Sequence, residues 1–544
     1  MMIKSWYDEL SPAMKTVAIA LGAIALYGVV LRLLPLFQGA EAIAFRFVSE
    51  DGYLLLTVSR NLAIGEGMSV SEGTIATNGV QPLITFVFTL PFLASGGDKI
   101  GGLVGVGLIM VAISAAGGWA VYRFVRQTLA VQSELWVWPA LAAVVWFVAL
   151  PTVAHSMNAL ETGLYTALAA TTFTYFGSLM NRGGVYTRRD QVILGSLCGL
   201  CFLARIDGAF LVTAIFATRF LVMQFTRQLN FKDAVLEALP PGFLSLAFAA
   251  PWLIHNQLRF GSIMPISGPA QSLNSTFGGN LHLLPAKIYE QIFVFLPIPN
   301  SIETKALAIL FCMMMVLAVL VPFYWLQFKN SSPMRWAAVA YGLFGLALMA
   351  YYGLFFGAPY FLPRYTFPLS PLGVAALVSV LLWAVTHLPK FETWLKVGAA
   401  AGALAIALVL TSQRYVLSPV SHDHRQVVRW VDQNVYDETW VAAVQTGTLG
   451  FWHDRTINLD GKVNPAALQA RIDEGHVLNY VTASDIDVLA DWRGIATWPQ
   501  ADIKDGAEAF GDAFDVLIAD QEKNLGVQIR RGTILKAASS DGTE

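Results

Sequence analysis

Long apolar runs separated by short polar segments cover most of the chain up to residue 412. Such runs are typical of helices that cross a bilayer, because about 20 apolar residues in a helix span the hydrocarbon core. The pattern predicts a polytopic α-helical membrane protein with about 11 transmembrane helices. The predicted spans are 16–37, 100–122, 135–152, 159–179, 191–204, 208–225, 237–256, 304–327, 335–356, 365–386 and 394–412.

One further apolar run, 80–95, does not fit this series. It is short, Pro82 and Pro91 interrupt it, and a crossing there would reverse the placement of every later basic loop. We therefore expect an in-plane or re-entrant helix within a large outer loop that covers residues 38–99. Residues 257–303 form a second long outer loop, of a length that usually has a function when it is ordered.

The pattern changes after residue 412, where polar residues dominate and short apolar runs alternate with helix-like stretches. We expect a transmembrane catalytic domain over residues 1–412 and a soluble α/β domain over residues 413–544 on the outer side. The strand-like runs are 440–444, 455–459, 486–489 and 514–518.

Composition and charge narrow the class of protein. The chain has 544 residues, of which 56% are hydrophobic and 13% are charged, and this is too apolar for a soluble protein of this size. The formal net charge of −2 argues against a nucleic-acid partner. Lys and Arg are concentrated in alternate loops, which places those loops in the cytoplasm and the long loops outside.

Two adjacent carboxylates, Glu50 and Asp51, stand at the start of an apolar helix that follows the first span and ends near Gly65. A helix N-terminus favours negative charge, so Asp51 can be ionised there. Charges so close to the bilayer are costly and commonly functional. This pair is therefore the first candidate for chemistry.

Further charged residues reach the same predicted face, namely Glu161, Asp207, Arg60, Arg205 and Arg364. An acceptor hydroxyl must lose its proton as it attacks, so a carboxylate is needed within hydrogen-bond reach. A planar guanidinium can bind a phosphate through two hydrogen bonds. The pattern indicates group transfer from a phosphorylated lipid. Structural alternatives remain open: Glu161 can cap the next span, Arg205 can pair with Asp207, and Arg364 can anchor a span end.

Aromatic and histidine residues near the span ends have a simpler interpretation. Tyr351 and Tyr352 fit interfacial aromatics, and His255 fits an interfacial residue better than a metal ligand. Cys198 and Cys201 lie in one apolar run without a second pair that would complete a metal site, so we expect them to pack within a span.

Several short motifs are spread along the chain in a fixed order. They are Ser-Glu-Asp-Gly-Tyr at 49–53, Ala-Thr-Asn-Gly-Val-Gln-Pro-Leu at 76–83, Met-Asn-Ala-Leu-Glu-Thr-Gly-Leu-Tyr at 157–165, Leu-Ala-Arg-Ile-Asp-Gly at 203–208, Pro-Trp-Leu-Ile-His-Asn at 251–256, Phe-Gly-Ser-Ile-Met-Pro-Ile-Ser-Gly at 260–268 and Leu-Pro-Arg-Tyr at 362–365. By these motifs and their order the chain resembles the GT-C membrane glycosyltransferases, which include the protein O-mannosyltransferases and the aminoarabinose transferases that modify lipid A. A tail segment, 447–464, also resembles that of bacterial members.

The resemblance implies an inverting transfer of one sugar from a polyprenyl-phosphate donor to an acceptor at the outer face. It also implies that Asp51 corresponds to the catalytic carboxylate and Glu161 to the acid of a further, short outer loop, with Arg205 and Arg364 near the lipid phosphate. The lipid A transferases carry an acid-Lys-Pro sequence where this chain has Gln81-Pro82, and they carry a paired-histidine site that is missing here. These departures speak against a divalent cation at the site; Mg²⁺ or Mn²⁺ stays open as a cofactor, and no metal ligand is assigned.

We predict an integral membrane glycosyltransferase of the bacterial inner membrane, with its active site and C-terminal domain in the periplasm. Its partners would be a polyprenyl-phosphate-sugar donor, membrane lipids, and an acceptor that is a glycolipid, a polysaccharide or a protein. The predicted roles are general base for Asp51, supporting or alternative base for Glu50, substrate orientation for Glu161, and donor phosphate binding for Arg205, Arg364 and Arg60. The predicted cavity residues are Tyr53, Asn78, Gln81, Asn158, Asp207, His255 and Tyr365.

Three other functions stay open at this point. A flippase or transporter for a lipid-linked sugar would also need arginines and a wet cavity, although transporters often show internal repeats, and none is visible in this sequence. An oligosaccharyltransferase or polymer ligase would use a lipid-pyrophosphate donor and move a whole glycan. A non-catalytic scaffold would use only the tail domain, to bind envelope glycans.

Overall fold

The computed structural model describes residues 11–129, 136–226, 229–418, 425–493 and 508–536. Each apolar run that predicts a span forms a helix. The helices of the bundle are Pro12–Leu33, Lys99–Thr128, Val137–Val148, Leu150–Ser156, Thr162–Asn181, Arg188–Ala204, Gly208–Phe225, Phe231–Phe260, Ala306–Lys329, Arg335–Leu354, Ser370–Thr386 and Glu392–Ser412.

Within the part of the chain that the structure describes, eight helices are long and apolar enough to cross a membrane. The count becomes nine if Val137–Val148 and Leu150–Ser156, bent by 64° at their junction, form one span. The predicted number is about 11 because two more predicted spans also form helices, but these two helices are not both long enough and apolar enough to be counted. Helix Arg188–Ala204 is too short, and helix Thr162–Asn181 is rich in threonine. Most of Thr162–Asn181 is buried within the protein, and the hydroxyls of Thr166, Thr172 and Thr174 donate to carbonyls one turn earlier.

The first outer loop contains the helices Ala40–Arg46, Glu50–Ile64 and Pro82–Ala94. Ser49 caps the second of these, and Gly65 ends it with a φ of 92°, as the sequence pattern predicts. Two short antiparallel strands, β1 (Ser69–Val70) and β2 (Ile75–Ala76), connect it to the third. Helix Pro82–Ala94 has 13 residues, too few to cross a bilayer, in agreement with the interpretation of residues 80–95.

The second outer loop is only partly helical. It contains Ser267–Ser272, the 3₁₀ turn Leu281–Leu283 and the helix Leu284–Ile292. A third irregular segment precedes the helix Ser370–Thr386 and carries Arg364 on a short helix, Leu362–Thr366.

The C-terminal region forms a five-stranded mixed sheet of order β4-β3-β5-β7-β6. Strands β4, β3 and β5 run parallel, whereas β7 pairs antiparallel with both β5 and β6. The sequence predicts four of these strands and misses β7. The strands are β3 (Val441–Ala443), β4 (Thr456–Asn458), β5 (Val488–Asp491), β6 (Phe514–Asp520) and β7 (Leu525–Arg530), and the helices are Arg425–Asn434, Gly447–Trp452, Pro465–Glu474, Leu478–Ala483 and Glu508–Ala513.

The apolar core has one large cluster inside the helix bundle and another around the first outer loop. The second cluster contains Tyr53 and Phe92 of the outer loop together with Phe451 and Val463 of the C-terminal region. The C-terminal region is therefore packed against the outer loop through buried apolar side chains, and burial of this kind is the main favourable term in association.

Candidate active site

A cavity of about 390 Å³ lies between the first two outer loops, the segment that carries Arg364, and the C-terminal domain. Its wall is mostly apolar, and it receives the ends of several polar side chains. Seven of the predicted site residues line it: Asp51, Gln81, Glu161, Arg205, Asp207, Arg364 and Tyr365. Lys462, which the sequence analysis did not select, lines it as well.

Asp51 stands in the first turn of helix Glu50–Ile64. Its Oδ2 accepts a hydrogen bond from Arg364 Nη1 at 3.0 Å, and its Oδ1 accepts one from Lys462 Nζ at 3.3 Å. Burial alone would raise the pKa of Asp51, but Lys462 and Arg364 outweigh it and hold that pKa below its ordinary value. Asp51 is therefore ionised at neutral pH and is held between two cations.

Arg205 is the centre of a second charged cluster in the same cavity. Its Nη1 donates to Glu161 Oε1 at 2.6 Å, and its Nη2 donates to Asp207 Oδ2 at 2.8 Å. Its Nε donates to the other oxygen of Asp207 at 3.1 Å. The hydroxyl of Tyr352 accepts from Arg205 Nη2 at 2.9 Å and donates to Asp207 Oδ2 at 2.6 Å. The buried guanidinium of Arg205 is therefore engaged through all three of its nitrogens.

Tyr365 connects the two clusters. Its hydroxyl accepts from Arg364 Nη2 at 3.0 Å and donates to Gln271 Oε1 at 2.9 Å. Its ring stacks on that of Tyr352, with centroids 4.7 Å apart, and the guanidinium carbon of Arg205 lies 4.3 Å from its centroid. The aromatic pair thus orients both arginines.

The charges are unevenly divided between the two clusters. One carboxylate, Asp51, faces the two cations Arg364 and Lys462, whereas one cation, Arg205, faces the two carboxylates Glu161 and Asp207. In a mostly apolar cavity, such charges interact more strongly than they do in water. Lys462 also pairs with Asp460 outside the cavity wall, so the Arg364 side is close to neutral, whereas the Arg205 side is negative. An anionic group that enters the cavity therefore meets less repulsion on the Arg364 side.

Three predicted cavity residues lie behind the cavity wall. Asn78 Oδ1 accepts from the backbone N–H of Ile266 at 3.1 Å and so joins the first two outer loops. The backbone carbonyl of Asn158 accepts from the N–H of Ser49 at 3.3 Å, beside the start of the helix that carries Asp51. Tyr53 is fully buried, and its ring centroid lies 5.2 Å from that of Phe451. These residues support the site without lining it.

Three other predicted residues point elsewhere. Glu50 accepts hydrogen bonds from the N–H and hydroxyl of Thr448 in the C-terminal domain. Arg60 donates to the carbonyl of Gly97 and to Asp454 Oδ1 at 3.2 Å, and it does not line the cavity. His255 stacks on Trp252, with ring centroids 5.7 Å apart, and is also absent from the cavity wall.

Two functional candidates were not recognised in the sequence. Lys462 lies in the tail segment 447–464 that resembles bacterial GT-C members, but nothing local links it to Asp51. Tyr352 was interpreted as an interfacial aromatic; this is wrong, because it is buried and bonded to Arg205 and Asp207. Both contacts join segments that are far apart in the chain.

The residues present do not fit a divalent cation. Within the described ranges, no group of three or more His, Cys, Asp or Glu side chains is arranged to hold a metal. The cavity carboxylates Asp51, Glu161 and Asp207 are each bonded to a cationic side chain instead. Divalent cations such as Mg²⁺ prefer carboxylate and other oxygen ligands, and here these oxygens already have partners.

Comparison with known proteins agrees with this architecture. Residues 410–521 match a family model described as Domain of unknown function (DUF8728), and no curated protein matches the sequence. ArnT from Cupriavidus metallidurans bound to undecaprenyl phosphate is similar over 97% of this chain and 99% of its own, at 12% identity and a TM-score of 0.56. The oligosaccharyltransferase AglB from Archaeoglobus fulgidus, in complex with an inhibitory peptide and a dolichol-phosphate, is similar over 98% of this chain and 75% of its own, at 12% identity and a TM-score of 0.58.

The A. fulgidus oligosaccharyltransferase in complex with Zn and sulfate is also similar, over 91% of this chain and 71% of its own, at 13% identity and a TM-score of 0.56. These neighbours are polytopic GT-C membrane glycosyltransferases. The similarity extends over nearly the whole chain, and it includes both the helix bundle and the C-terminal sheet region. This chain therefore has the GT-C fold.

Proposed function

We propose that this protein is a membrane glycosyltransferase that moves one sugar, with inversion, from a polyprenyl-phosphate donor to a hydroxyl of a cell-envelope acceptor. The observation that carries the proposal is the ionised Asp51, held between Arg364 and Lys462 in a mostly apolar cavity of a GT-C fold. The neighbour ArnT was captured with undecaprenyl phosphate and AglB with a dolichol-phosphate, so a lipid phosphate is a reasonable donor class.

In the proposed reaction, the acceptor hydroxyl oxygen attacks the anomeric carbon of the donor sugar. The bond between that carbon and the phosphate oxygen breaks, and its electron pair leaves with the lipid phosphate. Asp51 accepts the hydroxyl proton, which is the task of a general base. One carbon–oxygen bond forms as the other breaks, and the products are the glycosylated acceptor, the lipid phosphate and a protonated Asp51.

The lipid phosphate gains negative charge as it leaves, so it belongs on the Arg364 side of the cavity, which is less negative than the Arg205 side. Arg364 lies there and can present its planar guanidinium to phosphate oxygens. Arg205 was predicted to share this task, but Glu161 and Asp207 already engage it. In the proposal, Arg205 organises the opposite wall, Glu161 orients the substrate there, and Arg60 has no part.

The proposal includes a location. The protein would lie in a bacterial inner membrane with its cavity and C-terminal domain toward the periplasm, and the concentration of Lys and Arg in the other set of loops supports this orientation. The two domains of the proposal are residues 1–412, which hold the bundle, and residues 413–544, which hold the sheet.

The substitution Asp51→Asn tests the proposal directly. It preserves the shape of the side chain but removes the base, so we expect a loss of turnover of about 100-fold or more. The measurement is the release of undecaprenyl phosphate from a panel of undecaprenyl-phosphate sugars by detergent-solubilised protein, with a bacterial envelope extract as acceptor. Asp473→Asn, at an exposed carboxylate of the C-terminal domain, is the matched control. A folded Asp51→Asn protein with near-normal turnover would contradict the assignment.

A second candidate is supported by the similarity to AglB. An oligosaccharyltransferase-type enzyme would release a lipid pyrophosphate and transfer a whole glycan. The mass added to the acceptor separates the two reactions, because an oligosaccharide adds the mass of several sugar units and a single transfer adds the mass of one. Consumption of donor in detergent also separates either enzyme from a flippase, since a flippase changes only the side of the membrane on which the lipid lies.

A further inference from the structure

The topology of the C-terminal sheet brings three loops to one edge. Strands β4, β3 and β5 are parallel, so their carboxyl ends lie together, and this is the edge at which open α/β sheets usually bind ligands. Lys462 follows β4, Thr448 follows β3, and Asp491 ends β5. In this chain the edge faces the start of the helix that carries Asp51.

Two glycines permit an unusually close approach at this contact. A Cβ atom on Gly79 of the outer loop would lie 1.9 Å from the carbonyl oxygen of Lys462, a distance that real Cβ atoms do not reach. A Cβ atom on Gly447 would lie 2.0 Å from the carbonyl oxygen of Glu50. Neither glycine has a positive φ, so backbone conformation does not explain them. Because glycine has no side chain, the backbone of the C-terminal domain can contact that of the outer loop at both positions, near Asp51.

Apolar packing and hydrogen bonds reinforce the contact. The ring of Phe451 packs against Tyr53 and Phe92, with centroids 5.2 Å and 6.2 Å away. Next to it, Glu50 accepts hydrogen bonds from the N–H and hydroxyl of Thr448. The position of Lys462 over Asp51 is therefore determined by a packed interface, and it does not depend on the flexible lysine side chain alone.

We propose that the C-terminal domain, most of which matches a family model described as a domain of unknown function, is a working part of the active site: through Lys462 it positions Asp51. Lys462 acts as a positioning residue, and the proposal rests on the glycosyltransferase function proposed above. The domain thus uses the carboxyl edge of its parallel strands to complete a site whose other residues belong to the membrane domain.

The charges around Asp51 support this role. Arg364 is its second cation, Glu50 precedes it in the helix, and Glu161, Arg205 and Asp207 share the cavity. Lys462 itself lies between Asp51 Oδ1 and Asp460 Oδ2, each at 3.3 Å. Burial would lower the pKa of Lys462, but Asp51 and Asp460 raise it above its ordinary value, so the lysine stays charged. Without it, Arg364 alone would oppose the effect of burial, so the pKa of Asp51 would be higher than it is with Lys462 in place.

The test compares the pH dependence of kcat/KM for wild type, Lys462→Met and Lys462→Arg in the full chain. Removing the cation should raise the pKa of Asp51, so the acid limb of the profile should move to higher pH by about one pH unit or more. Lys462→Arg should restore most of the wild-type profile, because it keeps the charge. Lys523→Met, at a side chain that is 78% exposed, is the control and should keep the wild-type profile.

A second variant covers the case in which Lys462→Met fails to fold. Gly79→Ala keeps the lysine at position 462 but pushes the Lys462 backbone away from the outer loop. The acid limb of the Gly79→Ala profile should therefore move in the same direction as that of Lys462→Met. Gly511→Ala places a Cβ in open space within the same domain and should have no effect.

The outcomes separate the two proposals. No turnover of any undecaprenyl-phosphate sugar by wild type would overturn the proposed function itself. Turnover by wild type with an unchanged acid limb in both Lys462→Met and Gly79→Ala would overturn only the role of the C-terminal domain. A uniform loss of kcat/KM at every pH, without rescue by Lys462→Arg, would also count against it, because a purely structural lysine would behave in that way.

Discussion

At the scale of single residues, the cavity is organised by the partners of its two arginines. Arg364 shares Asp51 with a lysine and has charge available for an incoming anion. Arg205 is buried between Glu161 and Asp207, and its charge is already compensated. Two arginines that look equivalent in the sequence therefore differ in their partners, and we expect the buried Arg205 to stabilise the carboxylates next to it.

We expect Arg205→Ala to destabilise the protein by about 3–5 kcal/mol, because it leaves two buried carboxylates without their cation. The measurement is the thermal unfolding midpoint of the detergent-solubilised protein. Arg531→Ala is the control, since the side chains of Arg531 and its partner Asp515 are 57% and 58% exposed, and a surface pair contributes about 1 kcal/mol or less. An Arg205→Ala protein with normal stability and only a higher KM for the donor would return Arg205 to the role of a phosphate ligand.

At the scale of elements, helix Glu50–Ile64 is the part that decides the geometry of the site. Ser49 caps its start, and the same backbone donates to the carbonyl of Asn158. Gly52 allows that approach, since a Cβ there would lie 2.2 Å from the Asn158 oxygen. A short connection between two backbones thus determines where Asp51 stands.

We expect Gly52→Ala to push the helix start away from Asn158, at a cost of about 1–3 kcal/mol that is typical of overpacking. Activity should fall with stability, because Asp51 would move relative to Arg364. Unfolding midpoint and turnover measured on the same preparation would check this. Gly22→Ala is the matched helical control: it meets nothing within 4 Å, and alanine favours a helix. Equal stability of the two variants would argue against the close contact.

At the scale of the whole molecule, the membrane domain and the C-terminal domain meet at a contact that contains buried acids. Asp491 ends β5, and its carboxylate accepts from the N–H groups of Val444, Gln445 and Trp492. Burial raises the pKa of Asp491 to about 7, with a further contribution from Glu50 across the contact, against those hydrogen bonds. The protonation of this carboxyl therefore changes near neutral pH.

We expect stability to rise as pH falls from 8 to 5. The folded protein takes up a proton on Asp491 near pH 7, whereas the unfolded chain does so only near pH 4, so the folded state is favoured between these values. The unfolding midpoint measured across this range should show the rise, and Asp491→Asn should reduce it. Asp512→Asn, at an exposed carboxylate of the same domain, should keep the wild-type slope. Identical slopes in wild type and Asp491→Asn would contradict this interpretation.

Much of the fold is visible in the sequence. The apolar runs form helices, Pro82 begins the short outer helix and Gly65 ends the helix that carries Asp51. Four strands of the C-terminal sheet lie at or next to the runs that predict them. Among the described residues, eight or nine helices have the length and apolar composition of a span, compared with about 11 predicted, because Arg188–Ala204 is short and Thr162–Asn181 is rich in threonine.

The site also depends partly on local sequence and partly on tertiary structure. The sequence by itself determined where helices start, where the chain is apolar and which charges lie near the outer face, since these depend on neighbouring residues and on the partition of side chains between lipid and water. Only the tertiary structure decided which charges meet. Arg364 lies 313 positions from Asp51 and Lys462 lies 411 positions from it, so no local pattern can encode either pair. Their contacts follow from the packing of backbones at Gly52, Gly79 and Gly447, which forms only when the whole chain is folded.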